Sequence, residues 1–221
     1  MTDDDQRFLA EVLSGEPEEL EYAMDSFNRH VEVTTRAISI FNLKECEQQL
    51  RNWGHEPLRL VHAAKAAHLS LQSALTDALA GTAGIGAYNK KTRKAYLEYF
   101  NKTGDADAKP PTDSYVMNFT DLLARATSTP LEMTGKPLAV TPEERTALKR
   151  LTHIRHSMEH PHPGFHFIED VFIVQTIPIA ARLALTLLDE CGHHYQDGER
   201  STVIASVTAI EALCADQLPL N

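Results

Sequence analysis

Three cysteines are all that the 221 residues supply, and Cys46, Cys191 and Cys214 stand far apart. An odd, scattered set offers neither a disulfide framework nor a thiolate metal knuckle, so they are expected as reduced core thiols. Basic residues are also in deficit. Lys and Arg number 21 against 31 Asp and Glu, a formal net charge of -10. That excludes a general nucleic-acid coat, which relies on clustered Lys and Arg, but it leaves room for a local basic site. No apolar run is read as a membrane span. The leading Met-Thr-Asp-Asp-Asp is acidic and does not read as a signal peptide, so a cytoplasmic protein is expected. Alternating strand patterns are nearly missing, as are internal repeats. The glycines at 81, 84 and 86 lack the Gly-Lys-Ser/Thr of a phosphate loop. No cofactor is expected.

What is present is helical periodicity. Residues 1–16 read as a short helix. A long helix is expected from about Pro17 to Leu50 on a stripe of Met24, Phe27, Val31, Ile38 and Phe41. Trp53-Gly54 stops it. A second runs from about Pro57 to Leu79, with Leu58, Val61, Ala64, His68, Leu71, Leu75 and Leu79 on its apolar face. His68 there is expected as a hydrogen-bonded core histidine. Residues 80–140 read as a looser insertion. It holds a short basic helix with interleaved tyrosines over Tyr88–Phe100, expected as a solvated face with its tyrosines packed inward. It also holds a helix from Ser114 to about Thr127. The alternative for the basic segment is an RNA contact through Lys90, Lys91, Arg93 and Lys94. Val171 to about Glu190 is apolar nearly all round and is expected in the middle of a bundle, kinked at Pro178. A last helix covers about Ser201 to Gln217. The expected fold is an all-α, up-and-down helical bundle, a single domain over 1–221 with an insertion at about 80–140.

The densest chemistry lies in Thr141-Pro-Glu-Glu-Arg-Thr-Ala-Leu-Lys-Arg-Leu-Thr-His-Ile-Arg-His-Ser-Met-Glu-His160. Thr141 suits an N-cap, Pro142 the first helical position, and Glu144 completes a capping box. Ala147, Leu148, Leu151, Ile154 and Met158 make the buried stripe, while Arg145, Lys149, His153, His156 and His160 run down another side. Pro161 and Pro163-Gly164 end the helix.

Arg155-His156-Ser-Met-Glu-His160, an Arg, a polar residue, three more and a His at a helix end in an all-α chain, resembles the motif of the HEPN superfamily. The resemblance covers the helical core and leaves 80–140 outside it. It implies a metal-independent endoribonuclease, typically a homodimer with a composite cleft, or an RNA-binding factor, in a bacterial defence, toxin–antitoxin or stress setting. A regulatory or antitoxin protein is the implied partner. Arg155 and His160 match the two fixed positions and His156 the polar one, with Lys149, His153 and Glu159 as substrate-binding neighbours. The chemistry suits those residues: imidazole moves protons near neutral pH, and a guanidinium braces phosphoryl oxygens. The Pro161-His162-Pro163 continuation departs from the small residue common after the motif's His.

Two further readings stand beside this one. Arg155 and Glu159 are i,i+4 and suit a surface ion pair within a non-catalytic dimerisation or protein-binding module. His156 and His160 also have the spacing of metal ligands, with His153, His162 or His166 as a third. Geometry sets a condition on the ribonuclease. Five residues along a helix turn through about 500°, so Arg155 and His160 point about 140° apart. Either the chain leaves the helix before His160 or two subunits complete the site.

Overall fold

A computed structural model describes residues 33–102, 105, 107–160, 163, 168–191 and 198–216. Among these the protein is all-helical, and the helices belong to one compact unit, Thr34–Asn221. They are α1 (Thr35–Asn52), α2 (Leu58–Ala80), α3 (Lys90–Phe100), α4 (Phe119–Ser128), α5 (Pro142–Glu159), α6 (Asp170–Glu190) and α7 (Glu199–Ala215). The expected helix over 1–16 and residues 17–32 of the next lie outside the described residues.

α2 forms the centre. It packs on α1, α6, α5 and α4, while α6 also holds α7 and α5. The choice of α2 over α6 follows from side-chain size. Ala63, Ala64, Ala66, Ala67, Ala74 and Ala78 are all buried, so neighbouring helices approach its backbone on several sides. α6, expected in that place, keeps an exposed side at Phe172, Gln175, Arg182 and Asp189. It runs through Pro178 without ending. Contrary to expectation it does have the length and apolarity of a membrane span, but 56% of its most apolar stretch is buried inside the bundle.

α1 departs from expectation at its start and on its face. Thr34 adopts an extended backbone and its hydroxyl accepts from the Ala37 amide, so the helix begins at Thr35. The buried side is Ser39, Ile40, Leu43, Cys46 and Leu50. Ile38 and Phe41 of the expected stripe are exposed, Phe41 at 66%. Small polar residues decide this: the Ser39 hydroxyl donates to the Ser70 carbonyl at 3.0 Å and meets the Ser70 hydroxyl at 3.1 Å, which seats α1 on α2. Leu58, expected in the core, sits exposed at the first residue of α2.

The 80–140 region divides in two. α3, capped by Asn89, stays at the periphery with Lys90, Lys91 and Lys94 exposed. Tyr88 and Tyr96 stack on each other at 5.2 Å rather than entering the core, and the Tyr96 hydroxyl lies 2.9 Å from that of Ser114. The helix expected from Ser114 starts only at Phe119. Residues 115–117 instead pair with 87–89 in a short antiparallel bridge, and Asn118 caps α4. α4 then places Phe119, Leu122, Leu123 and Ala126 against the bundle, and Leu131 and Leu138 of the next loop are buried with them.

Candidate functional site at the end of α5

α5 starts as its sequence dictates. The Thr141 hydroxyl accepts from the Glu144 amide at 3.2 Å, and the Glu144 carboxylate accepts from the Thr141 amide at 2.9 Å. Arg182 of α6 reaches the other oxygen of Glu144. Leu148, Leu151 and Ile154 face the core, and Ala147 and Met158 are half-buried beside them. The helix ends at Glu159. His160 takes non-helical dihedrals, φ -128° and ψ 70°, although its amide still donates to the His156 carbonyl at 2.9 Å.

That ending sorts the last turn into two sides. On one, the exposed His156 and His160 rings lie 4.8 Å apart. On the other, Arg155 and Glu159 turn toward α2. Arg155 Nη2 bonds Glu159 Oε2 at 2.7 Å, and Lys65 Nζ of α2 stands 3.8 Å from Glu159 Oε1. The expected i,i+4 ion pair is therefore made, and it extends to a second helix. Leaving helical geometry at His160 does not turn its ring toward Arg155; the ring stays against His156.

Near the ion pair lies a histidine expected in the core, where it is found without the hydrogen bonds expected for it. His68 of α2 is fully buried against the Phe119 ring, centroids 4.2 Å apart. Neither of its nitrogens has a hydrogen-bond partner, and Arg155 Nε is likewise buried and unbonded. Burial, and then the nearby Arg155 charge, lower the His68 pKa from 6.5 to about 4, so the imidazole is neutral at pH 7. The expected hydrogen-bonded histidine is thus an unbonded one. Alanine-rich packing around α2 supplies no acceptor, which no pattern in the α2 sequence announces.

Lys149 and His153 are exposed further up α5, beyond the turn that holds Glu159. Arg150 stacks over the Phe172 ring, its guanidinium carbon 4.8 Å from the centroid. His162, His166, His193 and His194 lie outside the described residues. Among the described residues no three of His, Cys, Asp and Glu gather as a metal site. Comparison with protein-family models, curated proteins and solved structures finds no match to this chain.

Proposed function

We propose that this chain is a HEPN-like, metal-independent endoribonuclease that works in the cytoplasm as a homodimer, in a bacterial defence, toxin–antitoxin or stress setting. The observation that carries the reading is the solvent-exposed His156–His160 pair at the end of α5, one residue from Arg155. RNA supplies its own nucleophile. A histidine of the pair takes the 2′-hydroxyl proton as that oxygen bonds phosphorus. The bond to the 5′ oxygen breaks, the departing oxygen receives a proton, and a 2′,3′-cyclic phosphate remains. His160 is the acid–base residue, His156 orients it, and Arg155 stabilises charge on the phosphoryl oxygens. Within one chain Arg155 turns toward α2 while His160 faces solvent, so the reading pairs Arg155 of one copy with His160 of another.

A second reading, the non-catalytic helical module, draws support from the ion pairs of Glu159, which engage Arg155 within α5 and Lys65 across to α2. Incubation of structured and unstructured RNAs with the protein in excess chelator separates the two. The ribonuclease leaves cyclic phosphate ends under chelation, and the His160→Ala variant leaves none. Intact RNA with both proteins, across a broad panel near neutral pH, sinks the ribonuclease in favour of the module.

A further inference from the structure

α5 gathers basic and imidazole side chains on one side. At 100° per residue, Arg145, Lys149, His153, His156 and His160 fall within an arc of about 80°, spaced four, four, three and four residues apart. No carboxylate of α5 falls in that arc. Lys149, His153, His156 and His160 are exposed, and Arg150 stands exposed beside them. None of these five forms an ion pair among the described residues, whereas Arg155 and Arg182 both do. Arg145 is held at the start of the row by a 3.5 Å bond from its Nη1 to the Thr127 hydroxyl. The chain as a whole has a net charge of -10, and this side of α5 holds no carboxylate of its own helix.

Two grooves flank the row. One, about 240 Å³, lies toward α4 and is lined by Phe119, Leu123, Arg145 and Lys149. The other, about 500 Å³, lies toward α6 and is lined by Lys149, Arg150, His153, Ile168 and Phe172, with Glu169 as its one carboxylate. Lys149 borders both and so forms the ridge between them. Arg150, exposed and over the Phe172 ring at 4.8 Å, sets a guanidinium beside an aromatic ring where a base can stack.

Resting on the RNA reading above, we infer that single-stranded RNA lies along this face of α5, its phosphates over Arg145, Lys149, Arg150 and His153, and leads to His156 and His160. Steps of four residues advance about 6 Å along the helix. That places Arg145, Lys149 and the His153 imidazole one turn apart beneath an extended strand. Single-stranded nucleic acid suits a narrow basic row beside apolar grooves, because phosphates pair with Arg145, Lys149 and Arg150 while bases cover the grooves. An acidic peptide would satisfy the charges and leave the apolar walls bare.

The test is binding of a fluorescent uridine 12-mer to the His160→Ala protein, read by anisotropy over a salt series. In that background Lys149→Glu with Arg150→Glu is expected to weaken binding at least tenfold. It is also expected to flatten the slope of log K against log salt by about 1.4, two phosphates' worth for a single strand. Lys44→Glu with Lys136→Glu, the same charge change on exposed residues elsewhere, is expected to change Kd less than twofold. Circular dichroism melting confirms that each variant is folded. An unchanged Kd, an equal loss in the control pair, or displacement of RNA by polyglutamate at matched charge overturns the track. Stripe-dependent binding without cleavage by the unsubstituted protein keeps the track and removes the nuclease. Cleavage indifferent to the stripe variants does the reverse.

Discussion

His68 shows how one side chain couples stability to pH. Its folded pKa is lowered from 6.5 to about 4, so as pH falls the unfolded chain takes up its proton first. Stability from this group is whole above pH 6.5 and is lost progressively between 6.5 and 4, on the order of 3 kcal/mol in total. Urea melts at pH 7 and pH 4.5 should therefore shift less in a His68→Leu variant than in the parent, since leucine fills similar space without an unbonded nitrogen. Equal shifts in both proteins would show that the acid loss comes from carboxylates alone. Gly86 is a second residue whose identity is set by contact. A side-chain carbon there would stand 1.8 Å from the Leu79 carbonyl oxygen, which is backbone and belongs to the last turn of α2. Gly86→Ala is expected to destabilise by about 2–4 kcal/mol, visible as a lowered urea midpoint.

At the scale of elements, α5 was the most legible stretch. Its cap, first proline, buried stripe and stop are local matters, settled by residues within a few positions of one another. Thr141→Ala removes one half of the capping box and leaves the Glu144 amide without its acceptor. About 1 kcal/mol should go with it in a urea melt, with the far end of the helix unaffected. The face of α1 differs from the periodic expectation because Ser39, a polar residue, is fully buried beside Ile40, Leu43 and Cys46. α4 is shorter than its sequence suggests because Val116 makes an isolated antiparallel bridge with Tyr88, twenty-eight positions away. No local signal encodes such a pairing.

For the whole molecule, the three thiols report on the integrity of the bundle. Cys46, Cys191 and Cys214 are buried and unbridged, as their spacing suggested. Burial raises all three pKa values, to about 11 for Cys191 and about 12 for Cys214. Native protein at pH 8 should resist a thiol reagent and react with three equivalents in denaturant. Rapid labelling of one thiol without denaturant would show that its helix opens locally. The same burial of small residues at helix contacts made α2, not the more hydrophobic α6, the centre. Hydrophobicity ranked the helices correctly as apolar; packing distance chose among them.

By itself the sequence determined the helical class, the start and stop of α5, and the crowding of Arg155, His156, Glu159 and His160 into one turn, because each depends on neighbours along the chain. The tertiary structure decided the side each residue takes. Lys65 of α2 meets Glu159, which in turn holds Arg155, His68 has no hydrogen-bond partner, and His156 and His160 are left facing solvent. Periodicity gives the angle between two side chains on a helix, but only the neighbouring helix supplies the charge that one of them turns to meet.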